Sequence, residues 1–169
     1  MELYHGSNIE VAQPLALAGR RNLDFGRGFY TTRLKSQAQK WANLVASRKK
    51  RNAQSIVSIY ECDETKMMSA GYVYKNFPTY DMEWLEFVVA CRQGKDDTPY
   101  DIVEGGVAND QVIDTVEDYE NGRITAERAL DQLRYKKPNN QICFRNQEVI
   151  DKCLHFTNAE TVTPQDIAL

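Results

Sequence analysis

Asp24-Phe25-Gly26-Arg27-Gly28-Phe29-Tyr30-Thr31-Thr32 is the stretch on which the fold turns, read together with Leu3-Tyr4-His5-Gly6-Ser7 near the N-terminus. Two glycines flank one basic residue and lead into an aromatic pair and two threonines. Glycines at this spacing let backbone approach a ligand, because no Cβ stands in the way. Phe-Tyr-Thr-Thr is β-prone, so the expectation is a tight loop entering a strand that presents Tyr30. His5-Gly6-Ser7 adds one imidazole and a second place where backbone can be approached.

Working outward, 169 residues are enough for one domain with its own core, and a single domain over 1–169 is expected. No Pro- or Gly-rich linker and no repeat divides the chain. A net charge of −3 and a pI near 5.5 argue against a broad electrostatic grip on nucleic acid. No apolar run approaches the roughly 18 residues of a membrane span. The first residues, Met-Glu-Leu-Tyr-His, lack the basic and apolar regions of a secretion signal. Four cysteines (Cys62, Cys91, Cys143, Cys153) form no CxxC pair, and there are two histidines. That pattern speaks against a metal site and for reduced, packed thiols in a cytoplasmic protein.

Residues 2–5 read as a short strand and 6–24 as mostly irregular. From Leu34 the period changes. Leu34, Ala38, Trp41, Ala42 and Val45 recur at helical spacing, with Ser36 as the expected N-cap. The run Arg48-Lys49-Lys50-Arg51 follows, either complementing the helix dipole or meeting a phosphate. Residues 54–62 read as a strand, 63–78 as a connection, and 81–93 as a helix packing Trp84, Leu85 and Val88. Further on come a strand at 100–103 before Gly105-Gly106, helices at 109–121 and 125–135 (Thr125 as N-cap), a strand at 141–144, a short helix at 147–152 and a strand at 153–156. Strands scattered among helices without a repeating βα unit predict an α+β fold.

The pairing of His5-Gly6-Ser7 with Gly26-Arg27-Gly28-Phe29-Tyr30 resembles the ADP-ribosyltransferase superfamily, in its diphtheria-toxin and poly(ADP-ribose)-polymerase branch with a His-Tyr-Glu signature. Poly(ADP-ribose) polymerases carry His-Gly-Ser at the first motif and Gly-Lys-Gly-Ile-Tyr at the second. The resemblance covers residues 1–45 well and the strand at 139–145 moderately. The whole chain looks like an uncharacterised bacterial family of small stand-alone domains with this fold, whose members commonly act as toxins of toxin–antitoxin or defence pairs.

The resemblance implies a split β-sheet core with surrounding helices, and NAD as co-substrate without a metal. His5 would bond a ribose hydroxyl with help from Ser7, and Gly6 would hold the nicotinamide carboxamide by its backbone. Tyr30 and Trp41 would sandwich the nicotinamide ring. Arg27, Gly28, Thr31 and Asn140 would complete the NAD site, with Arg27 toward the pyrophosphate.

The third motif departs from the signature. The family's Glu falls at Gln141, or at Asn140 by a shift of one, and neither ionises. A neutral amide can bond a ribose but brings no charge to an oxocarbenium-like centre. Other carboxylates are Glu148, Glu83, Glu86 and Asp110. Asp110 follows a double-glycine turn, where it could reach a cleft or simply cap a helix. The expectation is a mono-ADP-ribosyltransferase acting on a protein or nucleic-acid acceptor, with an antitoxin partner and no membrane. A catalytically silent NAD or ADP-ribose binder and an NAD glycohydrolase are the alternatives.

Overall fold

Three apolar clusters position everything else, as seen in a computed structural model that describes residues 1–49, 52–69, 71–109 and 111–163. The strands are β1 (Glu2–Ser7), β2 (Phe29–Thr31), β3 (Ile56–Cys62), β4 (Tyr74–Phe77), β5 (Ile102–Gly105), β6 (Gln141–Phe144) and β7 (Leu154–Thr161). The helices are α1 (Lys35–Ser47), α2 (Glu64–Ser69), α3 (Met82–Arg92), α4 (Ile113–Glu120), α5 (Ala126–Leu133) and α6 (Gln147–Cys153). The fold is α+β.

One sheet has the order β1-β3-β7 and is antiparallel throughout; the other has the order β2-β6-β5-β4, with only β4–β5 parallel. Period-two alternation decides which cluster each strand residue joins. Leu3, Tyr60 and Cys62 of the first sheet meet Phe29, Ile102, Ile142 and Phe144 of the second in a shared core, which α6 closes with Val149 and Ile150. Val103 and Cys143 point the other way, into a cluster with Trp84, Leu85 and Val88 of α3, Val116 of α4 and Leu133 of α5. On the outer face of the first sheet, Val57 and Ile59 pack on Ala38 and Ala42 of α1. The alanines matter because they let the helix lie close to β1.

Three differences from the sequence reading have simple causes. The 63–78 connection holds α2 and β4, each too short to show a period. The N-cap of α1 is Leu34, not Ser36, and the hydroxyl of Thr32 accepts from the Leu34 N–H at 3.1 Å in its stead. Of the expected inward face of α1, only Ala38 and Ala42 are buried, whereas Trp41 is 45% exposed, Leu34 is exposed and Val45 is half-buried. Residues 50 and 51 of the basic run lie outside the described residues; α1 ends at Ser47 with Arg48 as C-cap. The four cysteines are free and buried, as expected, and burial pushes the Cys62, Cys91 and Cys143 thiols up to about 12.

Candidate functional site

Among the described residues one backbone bridge joins the two sheets. Tyr4 and Thr32 exchange both backbone hydrogen bonds, each 2.9 Å, in an isolated bridge. Hydrogen bonding along a strand edge alternates, so the direction of each backbone group follows from this pair. On β1, Met1 faces β3, its carbonyl accepting from Cys62, and Leu3, His5 and Ser7 share its parity. Tyr4 and Gly6 therefore face β2. On β2, Thr32 and Tyr30 face β1, while Phe29 and Thr31 face β6. The next pair along, Gly6 with Tyr30, would extend the bridge into a ladder, yet it does not pair. The strands split there, and the backbone edge of Gly6 confronts that of Tyr30 across the gap.

His5 holds the split open. Its Nδ1 lies 2.7 Å from the Tyr30 carbonyl, and its ring rests on Phe29 with centroids 4.6 Å apart. A carbonyl only accepts, so Nδ1 carries the proton and donates. Burial lowers the imidazole pKa below its ordinary value, opposed in part by the bond to Tyr30, and the ring is neutral at pH 7. Nε2 is then a lone-pair acceptor.

Tyr30 is anchored rather than free. Its hydroxyl donates to the Gly26 carbonyl at 2.6 Å and accepts from the Phe25 N–H at 3.1 Å, and its ring stacks on Phe25. Burial pushes the phenol well above its ordinary value, so it is no acid or base here. Gly26 sits at φ +73°, a conformation that selects glycine. The loop before β2 is clamped further by Asp24, which accepts from the Ala108 N–H at 2.7 Å and from Arg92 at 3.1 Å.

Gln141 opens β6 opposite Gly105, and Tyr30 stands opposite Cys143 on the same strand. Gln141 and Cys143 share a face by pleat, so Gln141 is the diagonal neighbour of Tyr30, about 7–8 Å away by sheet geometry. Gln141 and Tyr30 are thus neighbours on one face of the second sheet, and His5 meets Tyr30 through the Tyr30 backbone carbonyl, its ring lying on Phe29 on the other face.

Other expected contacts take different forms. Trp41 is 45% exposed on α1, which packs on the first sheet, while Tyr30 packs toward α3 and stacks on Phe25. Gly6 is required by packing, since a Cβ there would lie 2.1 Å from the Ala38 carbonyl oxygen. Gly28 is required likewise, its Cβ falling 2.4 Å from Cys143 Sγ. Thr31 is buried, and its hydroxyl donates to the Ile142 carbonyl at 3.1 Å rather than to a ligand. Arg27 donates to the Gly19 carbonyl at 3.1 Å, strapping the 6–24 segment. Ser7 ends β1 on the His5 side, half-buried. Asn140 gives its amide N–H to Glu104 at 2.9 Å. Asp110 lies outside the described residues. Glu83 pairs with Lys75 and Glu148 with Lys152, both at the surface, so neither supplies the missing carboxylate.

Sequence reading missed a buried carboxylate beside the third motif. Glu104, on β5 opposite Ile142, is 5% exposed. Arg33 grips it from Nε at 2.9 Å and from Nη2 at 3.2 Å, and Tyr74 and Asn140 each donate a further bond. Burial pushes this carboxyl up, but those hydrogen bonds and the Arg33 charge outweigh it and hold it below the ordinary value. It points into the core between the sheets, away from Tyr30 and Gln141.

A family model described as "Protein of unknown function (DUF3990)" matches residues 1–156. No curated protein matches the chain, and no solved structure does. Among the described residues no helix is long and apolar enough to cross a membrane.

Proposed function

This chain belongs to the DUF3990 family, and from the geometry of the split we propose that it is an NAD-dependent mono-ADP-ribosyltransferase. The observation that carries the reading is the arrested β1–β2 ladder: Gly6 presents its N–H and C=O to the gap, and His5, bonded through Nδ1 to Tyr30, leaves Nε2 as an acceptor. A carboxamide needs one acceptor and one donor side by side, which a strand-edge residue supplies. The Tyr30 ring would form one wall for the nicotinamide, and the Nε2 lone pair would take a ribose hydroxyl proton into a hydrogen bond. Holding the ribose and ring fixed lowers the barrier by positioning.

In the proposed reaction the bond from ribose C1″ to the nicotinamide nitrogen breaks, and nicotinamide leaves with the bonding pair. A hydroxyl, amine or ring nitrogen of a protein or nucleic acid then bonds to C1″ and loses its proton. Gln141 can orient the ribose but offers no charge to the cationic centre, so chain extension into a polymer is not part of the proposal. Growth inhibition by such a transferase, held in check by an antitoxin that covers the split, is the biological setting proposed.

Incubating purified protein with NAD labelled on the adenine side and a cell lysate tests this. Label on protein or nucleic acid supports transfer. Release of free ADP-ribose alone means hydrolysis. NAD that binds and stays intact would make the chain a silent binder, a reading favoured by the neutral Gln141. Neither binding nor turnover sinks the NAD reading altogether.

A further inference from the structure

Arg33, Tyr74 and Asn140 come from three separate segments and converge on the carboxylate of Glu104 in a fourth. We propose that Glu104 is a positioning residue that fixes the segment Asn140–Gln141 against the split; its catalytic consequence rests on the transferase reading above.

Two of the contacts lead to motifs. Arg33 directly follows Thr32, whose backbone forms the only bridge between β1 and β2 among the described residues and whose hydroxyl donates to the Asn140 carbonyl at 2.7 Å. Asn140 directly precedes Gln141, and its side chain donates to Glu104 Oε1, the oxygen that also accepts Arg33 Nε. Tyr74 brings in β4, the outer neighbour of β5. The first motif strand, the end of the second and the start of the third are therefore referenced to one group. Removing the carboxylate charge frees two strand ends at once.

Stability alone does not account for such a group. Replacing a buried ion pair with apolar side chains is often neutral or stabilising, and Ile102 and Val103 on the same strand show that β5 packs well with apolar residues. A carboxylate with four donors gives direction instead: two from a rigid guanidinium fork, one phenol and one amide, each with its own angle. Nor is Glu104 a substitute for the missing motif glutamate. Its oxygens are occupied, and it faces the core between the sheets, on the opposite side of the strand from the Gln141 face.

The test uses Glu104→Gln, which keeps the shape but places an amide N–H against the Arg33 and Tyr74 donors, together with Asn140→Ala and the double variant. Turnover of NAD is expected to fall about tenfold to a hundredfold in Glu104→Gln, as misplacement of about an ångström does, with the NAD Kd changed less than about threefold. Asn140→Ala should lose a similar factor, and the double variant should be no worse than the poorer single one, since both break the same linkage. Amide exchange at Gln141 and Ile142 should rise about tenfold while Leu85 and Val88 in α3 stay protected. If Glu104→Gln does not fold, Arg33→Lys keeps the charge, breaks the fork and takes the same measurements. Unchanged turnover, losses that multiply in the double variant, or unchanged exchange at 141–142 would each overturn the proposal. Should the wild type neither bind nor cleave NAD, the transferase reading falls, and the exchange data alone decide whether Glu104 positions this segment.

Discussion

Replacing Gly6 with alanine separates a glycine needed for packing from one needed for a ligand. The added Cβ would stand 2.1 Å from the Ala38 carbonyl oxygen, 2.8 Å from the Ala42 nitrogen and 3.0 Å from the Ala38 carbonyl carbon. All three atoms are helix backbone, so no side chain can swing aside. Real Cβ contacts essentially never fall under 3.0 Å, so α1 must retreat by the difference, 3.0 minus 2.1, or about 0.9 Å. That retreat opens the contact of Ala38 and Ala42 with Val57 and Ile59 along the whole interface. Overpacking costs about 1–3 kcal/mol where side chains can adjust; with rigid backbone on the far side the upper end, about 3 kcal/mol, is expected. Urea denaturation followed by circular dichroism measures it as a lower midpoint at unchanged slope. A Gly6→Ala protein that loses NAD binding while unfolding within about 0.5 kcal/mol of the wild type would refute the packing argument and make Gly6 a ligand glycine.

Four further outcomes follow from the same geometry. His5→Ala should weaken NAD binding about tenfold, the worth of one hydrogen bond to a buried group, as titration calorimetry would show. Because burial lowers the folded His5 pKa below 6.5, its contribution to stability is complete above pH 6.5 and declines as pH falls from 6.5 toward the folded value. Urea midpoints should show that slope, and His5→Ala should flatten it. Tyr30→Phe leaves the Gly26 carbonyl and the Phe25 N–H without their partner and should cost about 2 kcal/mol in a thermal melt, with the NAD Kd kept because the ring remains. Trp41→Ala should shift stability by less than about 1 kcal/mol and leave the NAD Kd alone; a large loss of affinity would restore the two-ring sandwich that the structure does not form.

The elements that the sequence declared were those with a period or a cap. Ala38 and Ala42, Trp84 and Val88, and Thr125 at the start of α5 spoke through local chemistry, and they stand where the pattern put them. The alignment of His5 with Tyr30 was legible as a motif, but its reason was not. Only the register shows that Gly6 and Tyr30 are the pair that fails to form, since parity is counted from a bridge between residues 4 and 32. The glycines misled in a physical sense: Gly6 and Gly28 look like approach points, whereas α1 and Cys143 fill the space beside them. Trp41 misled because helical spacing places it beside the buried stripe without saying how wide the stripe is, and two alanines suffice for a close helix–sheet contact. Glu104 was invisible for another reason. Residues 33, 74, 104 and 140 have no common period, and a lone glutamate in a short strand reads as a solvated edge.

Charge placement links these pieces to the chemistry. Asp24 and Glu104 are buried acidic groups beside the motifs, and each is answered by an arginine, Arg92 for the first and Arg33 for the second. Both therefore act on the site as fixed points, one for the loop entering β2 and the other for the segment entering β6. The Tyr30–Gln141 face is left with a neutral amide, a phenol held in its neutral form, and a thiol pushed up to about 12. To the dinucleotide of the proposed reading it would offer geometry: one unpaired strand edge beside an imidazole, and motif segments tied to buried charges that the ligand need not touch. Gln141 decides how far that geometry goes, because an amide holds a ribose hydroxyl equally well before and after positive charge develops. Binding without a differential gain at the transition state lowers Kd and does little for turnover. On the proposed transferase reading, rate would have to come from the alignment that Glu104 and Asp24 maintain, and turnover should be slow and more sensitive to misalignment than to pH around neutrality.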